Sequence, residues 1–245
     1  MNLENIAAIS TAFGTAGISV IRISGSSAIS EFNKIFKGKD LTNVKSHTVH
    51  YGHILNEDQT YLDEVMVTVL KAPKTFTAED TIEVSTHGGI LITQKVLDRI
   101  LDLDIRLAEP GEFSERAYLN GRIDLVEAES IMDLIHAKSD NTLKIANLGV
   151  QKETSKLIRN LRSKLLTIIA QIEVNIDYPE YDDAIQMSRE LIKPQTLELI
   201  DEINLLLKES EKNQLIRDGV KTVIVGKPNV GKSSLLNALL DEEKA

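Results

Sequence analysis

The chain has 245 residues, 42% of them hydrophobic, and a formal net charge of −9. This size allows a substantial core in one large or two smaller domains. It contains no cysteine, which excludes disulfides, thiolate metal sites and a cysteine nucleophile. The acidic balance argues against binding nucleic acid through a broad positive field. No apolar run approaches the ~20 residues of a membrane span and no signal-peptide pattern opens the chain, so we expect a cytoplasmic protein that does not contact the membrane.

Apolar and β-branched runs separated by glycines predict an α/β fold from residue 6 to about residue 107. Strands are predicted at residues 18–23, 48–55, 65–71 and 81–86, and helices at residues 26–36 and 90–101.

Two charged residues interrupt otherwise apolar strands of this half. Period-two alternation places Arg22 on the face of Ile18 and Val20, and it places Glu83 on one face with Ser85 and His87, leaving Ile82 and Val84 for the core. One interpretation is a structural ion pair, or charges that face water; the other is a binding site. His87 is interpreted as a hydrogen-bonded loop residue, because no second ligand is spaced with it for a metal.

A connecting segment joins this half to the rest of the chain. A short helix is predicted at residues 112–120, with Gly121 in the left-handed position that ends it. Asp124 and Glu127 have the spacing of a capping box for the next helix. Arg122 is then left between two helices, free to project towards whatever the first domain binds.

After Asp124 the apolar spacing is helical and predicts a bundle of long amphipathic helices. The residues at 177–183 predict a solvated acidic loop. Residues 151–164 form the one basic stretch, interpreted as the solvated face of a helix or, alternatively, as a surface that contacts phosphate. The predicted apolar seams are Leu125, Ala128, Ile131 or Met132 and Ile135; Ile158, Leu161, Leu165, Ile168 and Ile172; and Ile192, Leu199, Ile203 and Leu206.

A phosphate-binding loop follows the helices, because residues 226–233 fit the pattern G-x-x-x-x-G-K-[ST]. An apolar run at 220–225 predicts the strand before it, and residues 234–240 predict the helix after it. Lys232 suits the β- and γ-phosphates of a nucleotide and the Ser233 hydroxyl suits Mg²⁺. The inner residues, 227–230, favour GTP over ATP.

The sequence continues for only one helix beyond this loop. We therefore expect a fragment that lacks the switch regions and base-reading segment of a nucleotide domain and does not hydrolyse GTP competently. Its catalytic residues are for that reason unknown.

Several segments together resemble the MnmE (TrmE) family of tRNA-modification GTPases, from the first residues to Asn237. The block around Pro110 is particular to this family, whereas the phosphate loop is shared by many GTPases. The matching segments are residues 18–25, 76–80 with 87–89, 110–117 with 119–121, 124–125 with 127–128, and 226–237.

The resemblance implies an α/β folate-binding and dimerisation domain at residues 1–119, the first part of an all-α helical domain at 120–217, and the start of a P-loop GTPase domain at 218–245. It also implies that 5-formyltetrahydrofolate or a related tetrahydrofolate contacts Arg22, Glu83 and Arg122. The loop residues implied to contact GTP are Asn229, Val230, Gly231, Lys232, Ser233 and Ser234, with Asn229 as a ligand of K⁺ and Ser233 of Mg²⁺.

Such a protein is expected to form a homodimer through its N-terminal domain and a heterotetramer with the flavoprotein MnmG (GidA). Together these proteins modify C5 of the wobble uridine of certain tRNAs, adding a carboxymethylaminomethyl-type group with a one-carbon unit from folate. Two alternatives remain: a folate-binding and dimerisation module without catalysis, or a different P-loop GTPase of ribosome assembly.

Overall fold

A computed structural model describes residues 4–177, 190, 192–218 and 222–240. The chain divides into two compact units, Met1–Met132 and Asp133–Ala245. The first contains β1 (Asn5–Ile9), β2 (Ile18–Ser24), α1 (Ala28–Asn33), β3 (Phe36–Gly38), β4 (Thr48–Leu55), β5 (Tyr61–Leu70), β6 (Thr81–His87), α2 (Ile90–Leu101), β7 (Ile105–Leu107), α3 (Glu112–Leu119) and most of α4 (Leu125–His136).

The strands form one seven-stranded sheet in the order β3-β4-β5-β6-β2-β1-β7. All neighbouring pairs are antiparallel except β1 and β7. Alternate residues of β2, β5 and β6 are buried, and these pack with residues of α1 and α2 into one apolar core. Ile82 and Val84 lie in this core, as predicted. Glu83, Ser85 and His87 share the opposite face of the sheet, which is less buried and is called the less covered face below.

That less covered face of the sheet carries both charged residues and exposed apolar ones. The strand register places Arg22 beside Glu83 and Glu83 beside Thr68. In the next row Met66 lies between Tyr51 and Ser85. Tyr51 and Met66 are 57% and 45% exposed, so this face retains apolar surface within the described residues.

The second unit contains α5 (Asp140–Val150), α6 (Glu153–Asp177), α7 (Lys193–Asp218) and α8 (Lys232–Leu240). Helices α5, α6 and α7 contact one another, as the apolar spacing predicts. Ser139 caps α5 by accepting a hydrogen bond from the Thr142 amide at 3.2 Å. Of the predicted seams, Ile168 and Leu199 are buried. The predicted acidic loop lies outside the described residues apart from Asp177.

Three strand or helix predictions were wrong or incomplete. The short strands β1 and β7 were not predicted, since three to five residues show little periodicity. The helix predicted at 26–36 is confined to 28–33, because Phe36 pairs with Ile54 in β3. The described residues of the strand predicted at 220–225, namely 222–225, form neither strand nor helix. No strand in the described part of the chain pairs with them, and a strand requires that partner.

A close contact at the β3–β4 edge generates a test of the packing. Gly52 lies against the Phe36 ring, and a Cβ at this position would stand 2.4 Å from two ring atoms and 2.7 Å from the Lys37 carbonyl oxygen. We expect Gly52→Ala to lower the free energy of unfolding by about 1–3 kcal/mol, because the ring and backbone must both shift. Denaturant unfolding measures this change. Gly14→Ala is the control, since nothing lies within 4 Å of its Cβ; equal effects of the two substitutions would contradict the packing argument.

Candidate functional site

Arg22 and Glu83 form a cross-strand ion pair on the less covered face of the sheet. The guanidinium donates from Nε at 3.0 Å and from Nη2 at 2.8 Å, and both bonds go to Oε1 of Glu83. The side chains are 27% and 29% exposed, so the pair is accessible. The ion pair that the sequence left open as one interpretation is therefore present, and nothing in its geometry prevents a ligand from reaching it.

Two phenylalanine rings lie beside this guanidinium. The Cζ atom of Arg22 lies 5.5 Å from the centroid of Phe76 and 5.7 Å from that of Phe113, within the range of cation–π contacts. Phe76 comes from the loop before β6 and Phe113 from the first turn of α3. Sequence reasoning did not single out either ring, although both lie in blocks that carry the family resemblance. Their only signal was an aromatic residue beside a turn in each block.

A network of charges around the buried Arg116 fixes the position of α3. Arg116, which is 2% exposed, donates from Nη2 to Glu112 at 2.8 Å and from Nη1 to Glu79 at 3.2 Å. Arg106 donates to the same Glu112 carboxylate at 2.6 and 2.8 Å. The Ser24 hydroxyl donates to Glu79 at 2.9 Å. The network thus ties α3 to the loop that carries Phe76 and to the end of β2.

The environment of Glu112 favours its charged form. Hydrogen bonds from Arg106, the backbone amide of Glu109 and Arg116 lower the pKa of Glu112 from 4.5 to about 2, although its burial acts in the opposite direction. The carboxylate therefore stays ionised at neutral pH and can hold both guanidinium groups.

Arg122 follows α3 on a neighbouring segment. Gly121 has the positive φ that the sequence predicts, +69°, and Asp124 and Glu127 exchange the two predicted capping bonds, each at 2.9 Å. The Arg122 side chain is exposed and makes no hydrogen bond or ion pair with the described residues. The structure thus brings Arg22 and Glu83 together, and it leaves the Arg122 cation unpaired.

The segment that carries Arg122 is anchored towards the Arg22–Glu83 pair. Asn120 donates to the carbonyl oxygen of Thr77 at 2.7 Å. Thr77 in turn follows Phe76, whose ring lies against Arg22. Arg122 therefore lies two residues after Asn120, which bonds directly to the loop beside the Arg22–Glu83 pair.

His87 lies at the far end of β6 and is held by one acid. Its amide donates to Asp63 at 3.0 Å, and its Nδ1 lies 2.6 Å from the other Asp63 oxygen. The hydrogen bond between the two side chains is the main reason why the pKa of His87 is raised, and the charges of Asp63 and Glu64 contribute. The hydrogen bond predicted for His87 is confirmed, but the loop position is not, because His87 is the last residue of β6 and pairs with Ile18. No cluster of three or more His, Cys, Asp or Glu suited to a metal is found among the described residues.

The phosphate-binding loop has an anion-binding shape. Asn229 and Gly231 have positive φ values of 61° and 84°, and α8 begins directly after the loop, at Lys232. The Lys232 ammonium donates to the carbonyl oxygens of Gly226 at 3.2 Å and Lys227 at 2.8 Å. The loop amides and the N-terminus of α8 suit phosphate, and the Ser233 hydroxyl is on the first turn of the helix.

The basic stretch predicted at 151–164 lies on α6 and the turn before it. Lys156 pairs with Glu153 at 2.6 Å, and Lys164 pairs with Glu202 of α7. These acidic partners favour the solvated-face interpretation over a phosphate-contacting surface.

No helix in the described part of the chain is long and apolar enough to cross a membrane.

Comparison with known proteins gives two family matches that together span nearly the whole chain. Residues 5–122 match the model described as the GTP-binding protein TrmE N-terminus, and residues 125–244 match the MnmE helical domain.

Among curated proteins, the chain is similar to proteins named tRNA modification GTPase MnmE. It is 69% identical to that of Acholeplasma laidlawii over 245 residues, which cover 100% of this chain and 55% of that protein. The identity is 60% to that of the Aster yellows witches'-broom phytoplasma, covering 100% and 53%, and 51% to that of Bacillus cytotoxicus, covering 100% and 54%. The chain thus spans about half the length of the curated relatives it matches.

The charge network generates a pH-dependent test. Glu112→Gln is expected to lower the free energy of unfolding at pH 7 by about 3 kcal/mol, because it removes the carboxylate that Arg106 and Arg116 share and leaves the buried Arg116 with Glu79 as its one anion among the described residues. The lowered pKa of Glu112 contributes stability above its unfolded value of 4.5, and this contribution is lost as pH falls towards about 2. The difference between wild type and variant should therefore shrink over that range in denaturant unfolding.

Glu4→Gln is the matched control, since Glu4 binds the same Arg106 but is 76% exposed. It should change the free energy of unfolding little, both at pH 7 and at the acidic end of the range. A Glu112→Gln effect that is small, or constant from pH 7 to pH 2, would contradict the role given to the network.

Proposed function

The chain belongs to the MnmE (TrmE) family of tRNA modification GTPases, and we propose that it supplies the folate-binding, helical and phosphate-binding parts of a GTP-dependent tRNA-modifying enzyme. With a flavoprotein partner, MnmG (GidA), this enzyme adds a carboxymethylaminomethyl-type group at C5 of the wobble uridine of certain tRNAs. A tetrahydrofolate such as 5-formyltetrahydrofolate carries the one-carbon unit. The proposed place of action is the cytoplasm, where tRNA and GTP are available.

The Arg22–Glu83 pair is the observation that carries the folate proposal. Both Arg22 bonds go to Oε1 of Glu83, and Oε2 accepts no hydrogen bond from the described residues. A reduced pterin presents adjacent N–H donors, which suit a carboxylate oxygen held in this way. The exposed guanidinium of Arg122 suits the carboxylates of the glutamate tail.

The phosphate loop supports the nucleotide proposal. Lys232 is held by two carbonyl oxygens of the loop, which it would exchange for the β- and γ-phosphates of GTP. We assign GTP contacts to the 229–234 segment, a Mg²⁺ ligand to Ser233 and a K⁺ ligand to Asn229. These ions would add positive charge beside the phosphates, where negative charge accumulates during hydrolysis.

We further propose a homodimer through the N-terminal unit. Its support is the apolar surface on the less covered face of the sheet, where Tyr51 and Met66 are exposed beside Val49. Contacts with tRNA are proposed to be local, since the net charge is −9.

The alternatives have unequal support. The two family matches favour the proposal over an unrelated P-loop GTPase of ribosome assembly. A folate-binding and dimerisation module without catalysis is the second candidate, because the folate and dimer features both lie in the first unit. Measurement of folate binding and of GTP turnover separates these candidates.

The folate proposal predicts saturable binding of 5-formyltetrahydrofolate that Glu83→Gln weakens by about tenfold or more, since a charge-assisted hydrogen bond is lost. Calorimetric titration measures this, because the chain has no tryptophan to report binding by fluorescence. Glu64→Gln is the control, an exposed acid on the same face of the sheet. If wild type does not bind, or if both variants lose affinity equally, the assignment of the folate site fails.

The nucleotide proposal is tested in a protein in which this chain is extended to the full length of its relatives. There, Lys232→Ala should lower GTP turnover by about 100-fold or more, because the charge on the phosphates then lacks its cation. Lys227→Ala should retain turnover, since the loop uses the carbonyl of that residue. Asn229→Ala should remove the difference between K⁺ and Na⁺ in the assay. A K⁺ dependence that survives this substitution would contradict the role of Asn229.

A further inference from the structure

The chain has five phenylalanines, and their environments differ. Phe32 and Phe36 belong to the apolar core of the sheet, and Phe13 is 67% exposed on the loop before β2. Phe76 and Phe113 are partly exposed and lie outside the core, and each is beside the Arg22 guanidinium. An apolar core does not account for these two rings, which instead place partly exposed aromatic surface beside Arg22.

Buried hydrogen bonds hold both rings in place. Phe76 lies between Thr75, whose hydroxyl donates to the carbonyl oxygen of Glu79 at 2.7 Å, and Thr77, whose hydroxyl is 2.6 Å from that of Ser24. Thr75 and Thr77 are buried. Phe113 follows directly after Glu112, the carboxylate that both Arg106 and Arg116 hold. Rings supported in this way are preorganised, and little entropy is lost when a ligand packs against them.

The polar atoms beside the rings are suited to a flat ligand with donors on one edge. Arg22 donates two hydrogen bonds, both to Oε1 of Glu83. Oε2 therefore stays available to accept a hydrogen bond from a ligand beside the aromatic surface. A ring that stacks on phenylalanine while its edge donates to a carboxylate satisfies both features. The pyrimidine half of a reduced pterin is such a ring.

We propose that Phe76 and Phe113 are ligand-contacting residues of the folate site, against which the pyrimidine ring of a tetrahydropterin packs while its donor edge bonds Glu83. This inference rests on the proposed folate function and adds to it the aromatic walls of the site. The two rings thereby select flat, bicyclic ligands over other molecules that carry the same charges.

The geometry assigns the rings to the pterin and not to the aminobenzoyl group. Both rings contact Arg22, and Arg22 bonds Glu83, so ring and carboxylate are neighbours. Arg122 is on the segment after α3, which Asn120 ties to Thr77. The glutamate tail therefore extends from the rings towards Arg122.

Calorimetric titration of Phe76→Leu and Phe113→Leu tests the inference. Leucine keeps an apolar side chain but removes the stacking surface, so each variant should bind 5-formyltetrahydrofolate about three- to tenfold more weakly. Tyr61→Leu is the matched control, because Tyr61 is an exposed aromatic residue at the start of β5, seven residues along that strand from Thr68, the neighbour of Glu83. It should bind as wild type does.

A second measurement does not depend on how the variants fold. In wild type with ¹³C-labelled phenylalanine, 6-methyltetrahydropterin, which lacks the aminobenzoylglutamate tail, should shift the ring signals of Phe76 and Phe113. The signals of the core residues Phe32 and Phe36 should stay in place. With only five phenylalanines in the chain, the contacts of each ring with its neighbours assign the signals in wild type.

The outcomes distinguish this inference from the function on which it rests. If wild type binds 5-formyltetrahydrofolate but both Phe→Leu variants match Tyr61→Leu, the aromatic walls are refuted and the folate function stands. If 5-formyltetrahydrofolate shifts the two ring signals but 6-methyltetrahydropterin does not, the rings contact the tail and the pterin placement is refuted. If wild type binds no folate, both proposals fail.

Discussion

Arg116 bridges the carboxylates of Glu112 and Glu79 while it is almost completely buried. A buried guanidinium is costly to desolvate, and it persists only where its donors find anions. Here the anions come from two parts of the chain that are far apart in sequence, the first turn of α3 and the loop before β6. Their common cation fixes the distance between them. The site depends on this, because each of those parts contributes one of the two rings beside Arg22.

The sheet supplies the other half of the site. Arg22 and Glu83 are directly opposite each other in the β2–β6 ladder, so their contact follows from strand register and needs no loop. A one-residue shift of either strand would turn the charged residue of that strand into the apolar core, and the burial of Ile21, Ile23, Ile82 and Val84 opposes such a shift. Register and charge therefore specify the same pairing. Phe76 and Phe113 then contact a guanidinium that already donates two hydrogen bonds to Glu83.

How much the sequence predicts depends on the range of the interaction. Alternation predicted the faces of β2 and β6, and local spacing predicted the left-handed Gly121 and the capping box of Asp124 and Glu127. β3 was missed because Phe36 leaves the helical pattern only to pair with Ile54. The burial of Arg116 was missed as well, since its partner Glu79 is 37 residues away. Pairing between distant segments leaves no periodicity in either of them.

The residues before the phosphate loop show that an apolar pattern alone does not produce a strand. Their composition is that of a buried strand, and the pattern of a parallel strand is apolar on both faces. Val223 and Val225 are nevertheless 80% and 84% exposed, and residues 222–225 make no strand with the described residues. The loop itself needs no such neighbour, because Lys232 bonds two of its carbonyl oxygens and α8 follows at once. Phosphate-loop geometry is therefore local, whereas the strand before it forms only where another strand accepts its hydrogen bonds.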